Sequence, residues 1–62
     1  MSTRRIRVLV VEDSPSVREF LSHLFESDAR FDLAGTACDG SEALDAARRL
    51  QPDVVTMDVH MP

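Results

Sequence analysis

Two neighbouring carboxylates, Glu12 and Asp13, follow directly on the apolar run Val8–Val11, and a third, Asp58, follows a second such run, VVTM at 54–57. Two like charges about 4 Å apart cost roughly 4 kcal/mol at an effective dielectric near 20, so an acidic pair at the end of a buried strand calls for a neutralising partner. A hard divalent cation supplies one. Mg²⁺ takes one or two carboxylates and keeps several waters together with a phosphate oxygen, which suits an all-oxygen donor set. Zinc or copper would want histidine or cysteine there. The plainer reading is helix capping, because carboxylates favour helix N-termini. Asp13 alone fits either reading; two consecutive acids, with a third at the next strand end, fit the cation better.

The elements that would position these acids are legible. Ile6–Val11 (IRVLVV) is β-branched and apolar on both alternating faces, the pattern of a strand covered on both sides in a parallel sheet. Ser14-Pro15 gives a helix start, N-cap then N1. Val17, Phe20, Leu21, Leu24 and Phe25 then form one apolar helical face, with Arg18, Glu19, Ser22, His23 and Glu26 opposite, His23 reading as a solvated side chain. Phe31–Ala37 (FDLAGTA) is a second strand interrupted by Gly35. Asp39 and Glu42 stand at capping-box spacing before a narrower stripe of Ala43, Ala46, Ala47 and Leu50, which Gln51-Pro52-Asp53 ends. Val54–Asp58 is the third strand. Cys38, Met57 and Met61 read as core filler. The order β-α-β-α-β, with connections too long for hairpins, requires parallel pairing through right-handed crossovers. In such sheets ligands sit outside the carboxyl ends of the strands, where Glu12, Asp13 and Asp58 all fall.

Composition narrows the function classes. The chain has 62 residues, a net charge of −4 and no basic stripe, so nothing in it favours nucleic acid. Its apolar runs are too short for a signal peptide or a membrane span, and one cysteine excludes an internal disulfide framework; the expectation is a cytoplasmic protein without membrane contact. All seven basic residues are arginines, so the chain carries no lysine.

The segments IRVLVVEDSPSVREFL, GTACDGSEAL and PDVVTMDVHMP resemble the receiver domain of bacterial two-component response regulators, most closely the receivers of chemotaxis-type protein-glutamate methylesterases. The resemblance implies a flavodoxin-like doubly wound α/β fold with sheet order 2-1-3 over this segment. It implies Asp58 as the phospho-acceptor, Asp13 as a direct Mg²⁺ ligand, Glu12 acting through a coordinated water, and the backbone carbonyl of His60 as a further ligand. It also implies a histidine kinase as phosphoryl donor and the protein's own output domain as the reader of the signal. Receivers use in addition a Ser or Thr after the fourth strand and a Lys after the fifth. Residues 1–62 are therefore expected to be the N-terminal half of a receiver, without the fourth and fifth βα units and impaired in phosphoryl transfer on its own.

Rival readings are weaker. Asp58-Val59-His60 fits the start of a cobalamin-binding D-x-H-x-x-G, but that assignment leaves Glu12-Asp13 without a role. A haloacid-dehalogenase-like phosphatase needs an acid at position 60, where His60 stands, and EDSPS is no glycine-rich phosphate loop. The alternative from another class is a structural half-domain that forms a homo-oligomer by pairing its exposed, apolar third strand with a second copy.

Overall fold

The computed structural model describes residues 4–57. In order along the chain come β1 (Ile6–Val11), α1 (Pro15–Glu26), β2 (Phe31–Ala37), α2 (Gly40–Leu50) and β3 (Val54–Met57). The three strands form one parallel sheet in the order β2-β1-β3, which matches the sequence expectation. β1 is thus central, and Val8, Leu9, Val10 and Val11 are all buried, as an apolar strand without alternation requires.

Alternation divides those four residues between two layers. Leu9 and Val11 pack with Ala37 of β2 and with Ala43 and Ala46 of α2, and Ala47 and Leu50 close the edge of that cluster. Val8 and Val10 point to the opposite face, against which α1 lies across β1 and β2. The small residues of α2 let it approach the sheet closely. At Gly35 the approach is close: a Cβ there would come within 2.6 Å of the Leu50 Cδ1. The β1–β2 register slips at the same place, since Val8 pairs with Leu33 and Leu9 with Gly35, leaving Ala34 as the extra residue of a bulge. The glycine that interrupts the pattern of β2 is therefore a packing residue inside a continuous strand.

Local signals set the helix ends. Ser14 caps α1, its hydroxyl accepting the Val17 N–H at 3.4 Å with Pro15 at the first position. Asp39 caps α2 by accepting the Glu42 N–H at 2.8 Å. Gln51, in the left-handed region at φ 51°, ends it. Arg7 donates from its guanidinium to the Leu50 and Gln51 carbonyls, while its N–H donates to Asp53 Oδ2 at 2.9 Å, so one β1 residue ties down both the end of α2 and the start of β3.

Two expectations, those for Met57 and Cys38, need correction, and the cover of α1 is a finding that periodicity does not supply. The apolar face of α1 is only partly covered: no α1 residue is fully buried, and Phe20 remains 61% exposed, because the helix meets β1 and β2 along one flank and no described element covers the other. Met57 is not core filler; it lies on the open edge strand with Val54 and Val55, all three exposed. Cys38 is half-buried just past the end of β2 and bonds to acids instead of apolar neighbours. Asp58, His60 and Met61 lie outside the described residues.

Candidate metal and phospho-acceptor site

The carboxyl end of β1 delivers the acidic pair as expected, with the two acids in different surroundings. Glu12 is only 4% exposed, whereas Asp13 is exposed. Burying a carboxylate is tolerated only where it is bonded. Glu12 Oε2 accepts the Ser14 N–H at 3.0 Å, close to the N-terminus of α1, where the helix dipole favours negative charge. The Glu12 N–H donates to the Ala37 carbonyl at 3.0 Å, continuing the β1–β2 ladder one residue beyond the strand. Its carbonyl accepts from Arg18 Nη1 at 2.9 Å. Glu12 is therefore held through its N–H, its carbonyl and its side chain, and Asp13 is presented on the turn that follows.

The all-oxygen character of this pair fits a hard cation such as Mg²⁺. Glu12 and Asp13 are brought to the same end of the sheet at which β3 finishes with Met57; Asp58 and the His60 carbonyl, which would complete the site, lie outside the described residues.

Sequence reasoning missed Arg18. Helical spacing placed it on the solvated face of α1, yet it is half-buried and reaches back over the strand end. The usable signal was its distance along the helix: an arginine one turn into the helix after a strand lies within arm's reach of that strand's last carbonyls.

A second acidic group gathers at the carboxyl end of β2, where one ligand-type atom from each of Cys38, Asp39 and Glu42 lies within 4.8 Å of the others. Its bonds account for it as a helix cap. Glu42 Oε1 accepts the Cys38 N–H at 3.2 Å, and the Cys38 thiol donates to Glu42 Oε2 at 3.1 Å. That thiol bond, then burial, then the negative charges of Glu42 and Asp39 push the Cys38 pKa up, with Arg18 opposing them.

Comparison with known proteins places this geometry in context. The family described as "Response regulator receiver domain" matches residues 8–62. A protein-glutamate methylesterase/protein-glutamine glutaminase of Nitrosospira multiformis is 60% identical over 57 residues, covering 92% of this chain and 16% of that protein. Its namesake from Pyrococcus abyssi is 45% identical over 62 residues, covering 100% of this chain and 17% of the other. Among solved structures, the response regulator domain of Thermotoga maritima CheB superposes with a TM-score of 0.89 at 47% identity, covering 95% of this chain and 44% of that one. The chain thus spans about a sixth of these methylesterases and less than half of the solved receiver.

Proposed function

Because the chain belongs to the response regulator receiver domain family, we propose that it is the phosphoryl-accepting segment of a two-component signalling protein, with Asp58 as acceptor and Glu12, Asp13 and the His60 backbone carbonyl at a Mg²⁺ site. The observation that carries this reading is the acidic pair at the carboxyl end of the central strand, one acid buried and bonded, the other displayed. Its partners would be a histidine kinase and, in the whole protein, an output domain; relatives named as methylesterases make a methylesterase the first candidate. No helix among the described residues is long and apolar enough to cross a membrane, in keeping with a cytoplasmic setting.

In the reaction an oxygen of the Asp58 carboxylate attacks the phosphorus of a phosphohistidine or phosphoramidate. The P–N bond breaks, its electron pair stays on nitrogen, which takes up a proton, and Asp58 becomes an acyl phosphate. Mg²⁺, when bound, offsets the repulsion between the anionic nucleophile and the anionic donor. Asp13 would hold the cation directly and Glu12 through a coordinated water, and the hydrogen bonds to Glu12 keep that turn in place. No lysine is present, so the cation that the family draws from its fifth strand does not come from these residues. Transfer to this chain alone should be slow.

Intact mass after incubation with phosphoramidate and Mg²⁺ tests the reading. One phosphoryl adduct is expected, lost in Asp58→Asn and lost when Mg²⁺ is chelated. An adduct that persists in Asp58→Asn would refute the assignment of the acceptor.

A second reading has its own support. β3 ends the sheet with one edge unpaired by any described strand, and Val54, Val55 and Met57 are about half exposed along it. Such an edge pairs readily with another chain. The chain would then act structurally, as a homo-oligomer joined through β3, without phosphoryl transfer.

A further inference from the structure

We infer that Arg18 is a positioning residue for the acidic pair: by clamping the Glu12 carbonyl it presets the turn that displays Asp13, before any cation arrives. The geometry rests on four observations. Arg18 Nη1 donates to the Glu12 carbonyl at 2.9 Å, across the point where β1 leaves the sheet. Among the described residues this is the one hydrogen bond its guanidinium makes, and no carboxylate pairs with it. It is anchored in return, because its own carbonyl accepts the Ser22 hydroxyl at 2.7 Å and its N–H donates to the Ser14 carbonyl at 2.9 Å. Finally, the Glu12 side chain accepts the Ser14 N–H and the Glu12 N–H donates to the Ala37 carbonyl, so the arginine adds a third hold on the turn's first residue.

A solvated arginine on a helix would gain little by giving up water for a lone carbonyl. A guanidinium bonded to the Glu12 carbonyl also holds a positive charge beside the turn that carries both acids. Its field reaches Cys38 at the end of the neighbouring strand, where it opposes the acids. Residues that orient a metal ligand without touching the metal commonly change affinity by 10–100-fold when removed.

The inference draws its consequence for metal from the Mg²⁺ reading above, so the test has one readout with metal and one without. Mg²⁺ binding by calorimetry is measured on the 62-residue chain and on Arg18→Met, Arg18→Lys and Asp13→Asn, alongside metal-free amide exchange resolved at Ser14 and along α1. In Arg18→Met, Mg²⁺ binding should weaken by about 10-fold or more. Exchange at Ser14 should accelerate, while exchange in the middle of α1 and the melting temperature stay put. Arg18→Lys, which can still donate to the carbonyl, should recover most of both effects. Arg18→Gln, whose arm is too short, stands in for Arg18→Met if that variant does not fold. If the parent chain binds no Mg²⁺, or Asp13→Asn binds it equally well, the metal reading fails and exchange alone decides on Arg18. Unchanged Ser14 exchange in Arg18→Met overturns the positioning role, as does acceleration spread evenly over the whole of α1.

Discussion

At the scale of single residues, the side chains that cap helices were legible and those that reach across elements were not. Ser14 and Asp39 act within three residues of themselves, so their types and spacing suffice to assign them. Cys38 and Arg18 depend on what the neighbouring element brings within reach, and each bonds where a helical-wheel or composition argument does not look. Cys38 supports a chemical prediction. Its thiol donates to Glu42, an arrangement that favours the neutral form and holds its pKa above the usual thiol range. Thiolate is the reactive species, so alkylation by iodoacetamide at neutral pH should be slow. Glu42→Gln removes both the acceptor charge and the repulsion, so the rate should rise and the midpoint of its pH profile should move down. The sign is unambiguous: a raised thiol pKa stabilises the fold while the thiol stays protonated, and that contribution disappears as pH climbs through the folded-state value. An unchanged profile in Glu42→Gln would mean that the contact does not persist in solution.

Among the elements, the existence and type of all five could be read from apolar periodicity and from the cap residues. The bulge in β2 could not. A lone glycine in a strand pattern signals either weakness or close approach, and only the position of Leu50 decides between them. Gly35→Ala tests that decision. The added methyl would meet Leu50 Cδ1 at 2.6 Å, an overlap that the flexible end of the leucine relieves only by shifting from its place against the core cluster. Overpacking costs about 1–3 kcal/mol, and with the free end of a half-buried leucine as the atom that yields, the low end of that range, about 1 kcal/mol, is expected. Urea denaturation should show the midpoint falling, and the double variant Gly35→Ala/Leu50→Val should recover part of the loss. A stabilised Gly35→Ala chain would mean that the close approach is not maintained.

For the molecule as a whole, the strand order 2-1-3 and the open third strand followed from the family resemblance, whereas the poor cover of α1 did not follow from any pattern. Periodicity says which residues could face a partner; it does not say whether a partner is present. Hence the open edge of β3 could be expected from the strand order, with Val54 and Val55 exposed along it, whereas Met57 read as core filler and the exposure of Phe20 and Leu24 on α1 had no signal in the sequence. An edge strand with no lysine, proline or bulge invites pairing. Sedimentation equilibrium of the isolated chain should therefore give a mass above that of one copy. Val55→Lys, a charge placed on the open strand, should shift the population toward monomer while altering unfolding by no more than about 0.5 kcal/mol, as is usual at exposed sites. A single-copy mass for the parent chain would end the self-association reading and leave the phospho-acceptor reading as it stands.

The central place of β1 carries a consequence for how the chain is made. Of the three strands, the one synthesised first is the one that ends up flanked on both sides, and both of its neighbours are synthesised later. Its partner residues in β3 lie nearly twice as far along the chain as those in β2, so the sheet should grow outward from a strand that has to wait, first for one side and then for the other. While it waits, VLVV is an apolar, uncharged segment of the kind that seeds aggregation. Arg4, Arg5 and Arg7, just upstream, are the sort of flanking charges that hold such a segment apart from its copies until β2 arrives.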